Sequence, residues 1–233
     1  MEVSKGRIDR LGESIRTGSL SDDDRLLLAG LRRAWRDAQV QLHSELVEKF
    51  LERDFQLESR LKNLGTIREK LNRSNIHLSR IRDIVGLRIT VTGSREQQDD
   101  VVTEIIDGTR ADRFKLVDRR SQPSHGYRAA HIELTRGLVI AEIQVRTELQ
   151  HQWASLFESL SEVLGRGIRY GELPTTKHLS DIAKSRALAS LRELSELSSE
   201  IARVEEANLE THGVRARLEL QNSVINDLQM GLN

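Results

Sequence analysis

Behind Ser21 and a run of three aspartates, apolar residues recur at Leu27, Leu31, Trp35, Leu42, Leu46 and Phe50. That near-helical spacing, preceded by side chains able to accept hydrogen bonds from free N–H groups, predicts one long helix over residues 21–54. Residues 57–73 keep a helical composition, with Gly65 as an interruption and Thr66 placed to cap a second short helix. The pattern then changes. Residues 84–92 form a β-branched run with partial alternation, and 114–117, 129–134 and 138–145 read as three further strands. The last two are joined through Thr135, Arg136 and Gly137, a connection short enough for an antiparallel hairpin. Between the first two strands, Val101, Val102, Ile105 and Ile106 mark a helix that ends at Gly108. Residues 150–165 form another amphipathic helix, and the tail from Lys177 to Met230 is helical with a break near Gly213. The middle of the chain thus reads β-α-β-β-β with helices around it.

In that tail, Leu188, Leu191, Leu194, Leu197, Ile201 and Val204 make one apolar stripe. Residues 187–233 hold eight acids against four arginines and no lysine. A helical hairpin folded onto its own domain is the plain reading, and a docking surface for a partner chain the sharper one. At 233 residues the chain suits one large domain with helical appendages.

Composition narrows the class. Hydrophobic residues at 37% and charged residues at 31% describe a globular protein, neither disordered nor integral to a membrane. No apolar stretch approaches the roughly 20 residues needed to cross a bilayer and no secretory signal opens the chain, so the expectation is a cytoplasmic protein. Thirty-six basic side chains balance 36 acidic ones, so an anionic ligand has to be held by a local cluster. Cysteine is absent, which removes disulfides, thiolate catalysis and thiolate metal sites. The phosphate-loop, zinc-protease and nucleophile-elbow motifs are missing as well.

Three features carry chemistry. Residues 60–95 contain nine Lys or Arg and two acids. Within them Arg60, Lys62, Lys70 and Arg73 flank a helix start, where backbone N–H groups also favour anions; a polyphosphate site and a solvated charged face are both open readings. Asp83 opens the first strand and Glu142 lies inside a strongly apolar one. A carboxylate in such a run needs a partner, and two of them on adjacent strands are able to share Mg²⁺; the plain alternative is two salt bridges, for instance with Arg88 and Arg146. Gly126 frees the backbone just before Tyr127, one of eight aromatics, which is suited either to stacking on a nucleobase or to the core. His131 reads as a hydrogen-bonding group near the site.

The order RLKNLGTIREKL, DIVGLRITV, HGYRAAH and EIQVRT followed by QHQW resembles the synthetase domain of the RelA/SpoT alarmone synthetases, in the small stand-alone form, over about residues 45–171. The resemblance implies an α+β fold: a mixed sheet of about five strands flanked by helices, similar to nucleotidyltransferases. An N-terminal helical extension at 1–44 and a C-terminal helical hairpin at 172–233 would frame the synthetase domain. It implies transfer of pyrophosphate from ATP to a 3′-hydroxyl of GDP or GTP, with Mg²⁺. Residue by residue, Arg60 and Arg88 would sandwich adenine, and Lys62, Lys70 and Arg73 would hold the ATP side. Asp83 would bind the metal, and Glu142 would bind the metal or act as base. Tyr127, His131, Gln144 and Arg146 would form the acceptor pocket. Two departures stand out: Gln122-Pro123-Ser124-His125 lacks the family's lysine before Gly-Tyr, and Ala129 replaces its usual serine. This wording is more similar to the toxic members of toxin–antitoxin pairs, which implies the 3′ CCA end of tRNA, or an adenosine nucleotide, as alternative acceptors and an antitoxin as a partner. Oligomeric state is left open, and an inactive nucleotide- or RNA-binding module is the reading from another class.

Overall fold

The computed structural model describes residues 3–231. Ser4 caps helix α1 (Lys5–Thr17), and Ser21 and Asp24 form a reciprocal capping box on α2 (Asp22–Lys49), in which each side chain accepts from the other's backbone N–H. The aspartates of the first turn face the positive end of the helix dipole. α2 stops at Phe50, short of the expected Asp54, because the chain turns there into a strand, β1 (Phe55–Leu61). Residues 57–61 are therefore extended rather than helical. Helix α3 (Leu64–Ser74) starts later, and its cap is Asn63, whose Oδ1 accepts from the Thr66 N–H at 2.9 Å; Thr66 is inside the helix.

A 3₁₀ turn at Leu78–Arg80 leads to β2 (Val85–Val91), α4 (Arg95–Gly108), β3 (Arg113–Asp118), β4 (Ala130–Arg136) and β5 (Val139–Thr147). Helix α5 (Glu148–Leu164), a 3₁₀ segment (Arg166–Tyr170), α6 (Asp181–Glu206) and α7 (His212–Met230) complete the chain. The break in the tail falls between Glu206 and His212, and Gly213 is inside α7.

The five strands run in the order β1-β2-β5-β4-β3, a mixed α+β sheet as expected. The β4–β5 connection is only Gly137 and Leu138, with Gly137 at φ +57° in the left-handed region its turn requires. Two compact units divide the chain. The first takes the chain through Ile89, Val102–Val117 and His131–Gln144; the second takes Thr90–Val101, Asp118–Ala130 and the chain from Val145.

In the first unit, alternation sorts the central strands β2, β5 and β4. Val85, Leu87 and Ile89 of β2, Ile132 and Leu134 of β4, and Ala141 and Ile143 of β5 are buried. The residues between them, Gly86, Arg88, His131, Glu133, Glu142 and Gln144, point to the opposite face. Period two therefore delivers a polar face as the complement of an apolar one.

The second unit is built on α5, α6 and α7, which pack pairwise. Trp153, Leu160, Val163, Leu164, Leu194, Leu197, Ile201, Val204, Val214, Leu218, Ile225 and Leu228 share one core. The predicted stripe of α6 is its buried side, with Leu188 and Leu191 at its half-buried margin. The hairpin folds onto its own unit.

Candidate active site

Asp83 lies two residues before β2, in the loop that enters the strand rather than on the strand itself. The backbone pins Lys62 beside it, because the Lys62 N–H donates to the Ile84 carbonyl at 2.9 Å. Lys62 Nζ donates to Asp83 Oδ2 at 2.8 Å, and Lys70 Nζ, from the middle of α3, donates to Asp83 Oδ1 at 2.7 Å. Both carboxylate oxygens are thus held by ammonium groups. Burial pushes the Asp83 pKa up, but the hydrogen bonds and charges of the two lysines outweigh it and bring the group to about 2. The carboxylate pairs with lysines, not with the Arg88 that sequence offered as a partner.

Glu142 stands on the polar face of β5 with 15% of its side chain exposed. His131 Nδ1 lies 2.9 Å from its Oε1, and Gln144 Nε2 donates to its Oε2 at 2.9 Å. Burial raises its pKa. The hydrogen bond and charge of His131, followed by the Gln144 bond, more than offset this, with the Asp83 charge acting in the raising direction, and the group lies below its usual value. Two carboxylates are therefore ionised at neutral pH, each for a different reason.

Cations line the neighbouring strands. Arg88 Nη1 donates to Glu58 Oε2 at 2.9 Å, and Arg60 lies across Gly86, its Cγ 3.5 Å from the point a β-carbon would occupy. Arg73 is in the last turn of α3. Arg82, the residue before Asp83, forms an ion pair with Glu133 of β4. Sequence reasoning missed Glu58, Arg82 and Glu133. The last had the same signal as Glu142, an acid alternating with buried aliphatic residues.

Tyr127 and Arg146 belong to the second unit and form a pair of their own. Arg146 Nη2 donates to the Tyr127 hydroxyl at 2.8 Å, and the guanidinium carbon stands 4.8 Å from the ring centroid. Tyr127 closes a two-residue turn in which Ser124 and Tyr127 exchange backbone hydrogen bonds at 3.2 and 3.0 Å. His125 and Gly126 take φ +52° and +84°, the mirror-image turn conformation that glycine accommodates most readily.

The donor set suits Mg²⁺, a hard cation that takes one or two carboxylates and leaves the rest of its shell to water and substrate phosphate. Among the described residues no group of three or more acidic or imidazole side chains is arranged to hold a metal unaided. Asp83 and Glu142 are hard oxygen donors of that kind, and the lysines and arginines beside them carry the charge a polyphosphate needs. Among the described residues no helix is long and apolar enough to cross a membrane.

Residues 59–160 match a family model described as the region found in RelA / SpoT proteins. Uncharacterized proteins of Mycobacterium tuberculosis and Mycobacterium bovis are 41% identical over 117 residues, half of this chain and 43% of theirs, so the chain spans less than half the length of the curated relatives it matches. Among solved structures, small alarmone synthetase 2 of Bacillus subtilis superposes with a TM-score of 0.56 at 25% identity, covering 78% of this chain and 95% of that one. A GTP pyrophosphokinase family protein of Streptococcus pneumoniae gives 0.54 at 20% identity, covering 85% and 98%. Small alarmone synthetase 1 of B. subtilis, bound to its product pppGpp, gives 0.50 at 22%, covering 80% and 98%. The last two speak for the fold alone.

Proposed function

We propose that this chain, whose residues 59–160 match the region found in RelA / SpoT proteins and whose fold is similar to small alarmone synthetase 2 of B. subtilis, is an ATP-dependent pyrophosphokinase whose acceptor is the 3′-hydroxyl of GDP or GTP. The acceptor oxygen attacks the β-phosphorus of ATP, the bond from that phosphorus to the α-phosphate oxygen breaks, AMP leaves, and the proton of the hydroxyl passes to Glu142. The observation that carries this reading is the presence, on the polar face of the sheet and in the loop that enters β2, of two ionised carboxylates, one between two lysines and one between His131 and Gln144.

Arg60 and Arg88 take the adenine, with Arg88 exchanging Glu58 for it, and Lys62, Lys70 and Arg73 hold the phosphates. Asp83, with Glu142 where it is not the base, would hold Mg²⁺, which would neutralise charge on the transferring group. His131 and Gln144 orient the Glu142 carboxylate, so that its basic oxygen is presented without rotamer search. Tyr127 stacks on the acceptor base and Arg146 holds the ring. Functionally the chain divides as 1–44, 45–171 and 172–233, with the middle segment carrying these roles.

A second reading rests on one observation: the turn before Tyr127 is Gln122-Pro123-Ser124-His125, with no lysine to meet 5′ phosphates. An acceptor with a single phosphodiester at its 5′ oxygen in place of a di- or triphosphate, the 3′ CCA end of tRNA, suits that turn. Incubation with γ-labelled ATP and, separately, GDP, GTP, AMP and deacylated tRNA tests both. Label in a guanosine tetra- or pentaphosphate supports the first, label in tRNA the second, and label in no acceptor overturns both.

A further inference from the structure

The proposed acceptor platform consists of two residues far apart in sequence, Tyr127 and Arg146, and one face of α6 reaches both. Ser198 Oγ donates to the Gly126 carbonyl, immediately before Tyr127. Arg128, immediately after it, donates from Nε to the Ser198 carbonyl at 3.0 Å and to Ser198 Oγ at 3.2 Å. The hydroxyl therefore donates on one side of Tyr127 and accepts on the other, which uses a serine fully. One helical turn earlier, the Leu194 carbonyl accepts from Trp153 Nε1 at 2.6 Å, and the Trp153 ring lies beneath Gly126, where a β-carbon would approach it to 2.7 Å.

Two turns beyond Ser198, on the same face, Glu205 performs the corresponding task for the other partner. Its Oε1 accepts from the Thr147 hydroxyl, and Thr147 directly follows Arg146. Its Oε2 accepts from Gln150 Nε2 at 2.7 Å. Thr147 is also the N-cap of α5, its Oγ accepting from the Gln150 N–H at 3.2 Å. Gln150 in turn accepts from Gln98, whose amide also donates to the Val145 carbonyl, both at 2.8–2.9 Å.

We infer that α6 is the ruler of the acceptor platform: Ser198 and Glu205 are positioning residues that set Tyr127 and Arg146 against each other, so that the C-terminal helix determines how well the acceptor is held. The inference deepens the proposed function and rests on it. The apolar stripe of α6 supplies its packing, and the hydrogen bonds of Ser198 and Glu205 add a fixed orientation to it.

The test is steady-state transfer from ATP to GDP, or to deacylated tRNA where GDP accepts nothing, by wild type, Ser198→Ala, Ser198→Thr and Glu205→Gln. Loss of the two hydrogen bonds of the Ser198 hydroxyl in Ser198→Ala, or of the ionised acceptor in Glu205→Gln, raises the acceptor KM by about threefold to tenfold. The ATP KM stays at the wild-type value and Ser198→Thr, which keeps the hydroxyl, restores the acceptor KM. Hydrogen exchange of the 124–128 amides should quicken in Ser198→Ala in parallel, which reads the turn without reference to turnover. An active wild type whose acceptor KM is unmoved by Ser198→Ala, or an equal rise for both substrates, overturns the inference and leaves the proposed function standing. A wild type that transfers to no acceptor overturns the proposed function itself.

Discussion

At the scale of the residue, the informative contrast is between two carboxylates ionised by different neighbours. Glu142 owes its low pKa first to His131, acting against burial. His131→Ala removes that support and lets burial raise the group. A base has to be ionised to accept a proton, so activity is lost on the acid side as pH falls through the pKa of Glu142. Raising that pKa moves the acid limb of the pH–kcat profile to higher pH, and a limb that stays in place, or moves down, contradicts the role assigned to His131. Glu142→Gln keeps the shape and removes the base, with an expected fall in kcat of about 100-fold or more while cooperative unfolding is retained.

Asp83 makes a separate, purely thermodynamic prediction. Its folded pKa of about 2 lies below the ordinary 3.8, so its pairs with Lys62 and Lys70 stabilise the fold fully above 3.8. That contribution is lost as pH falls through about 2. It amounts to roughly 2 kcal/mol, and the gap in unfolding free energy between wild type and Asp83→Asn should shrink by about that amount between pH 5 and pH 2 in urea titrations. Both carboxylates were legible in the sequence because an acid beside or within an aliphatic run needs a partner. Which partner was not legible. Lys70 reaches Asp83 only because Asn63 starts α3 where it does, and Arg88, nearer in sequence, turns instead to Glu58.

At the scale of the element, the hydrophobic pattern located four of five strands and the helices from α2 onward, gave no sign of α1 (Lys5–Thr17), and failed at β1. That strand is at the sheet edge, and its residues alternate poorly: Glu58, Ser59 and Arg60 are all exposed in succession. Edge strands tolerate and often favour such charge, which reads on paper like the outer face of a helix. The misreading also hid Glu58. The Ser124–Tyr127 turn was the opposite case, since Gly126 announced a backbone requirement that the φ of +84° bears out. Gly126→Ala places a methyl group 2.7 Å from Trp153 in a conformation that L residues avoid. The expected loss is about 2–4 kcal/mol of unfolding free energy by guanidinium titration, from strain and overpacking together. A loss within about 0.5 kcal/mol, the range of an ordinary surface change, would show that the turn is not constrained as described.

At the scale of the whole molecule, the C-terminal hairpin takes the plainer of its two sequence readings, folded onto its own unit. Its eight acids invite a view of the tail as a detachable regulator, since charge is what a sequence displays most openly. What the chain buries says otherwise. α6 and α7 contribute Leu194, Leu197, Ile201, Val204, Val214, Leu218, Ile225 and Leu228 to the core that also takes Leu160, Val163 and Leu164 of α5. Each such aliphatic side chain is worth about 1.5–3 kcal/mol of burial, so removing the hairpin strips the second unit of most of its driving force. Its acids are partly spent inside the hairpin as well, where Arg217 of α7 pairs with Glu193 at 2.7 Å and with Glu200. A regulator that covers a site predicts that truncation after Gly171 yields a more active protein. A structural hairpin predicts a protein that aggregates, or that loses the cooperative unfolding of its second unit, with no gain in transfer. Size-exclusion chromatography, urea unfolding and a transfer assay of the 1–171 fragment decide between them: a monodisperse, cooperatively folding fragment with raised activity would make the tail a regulator.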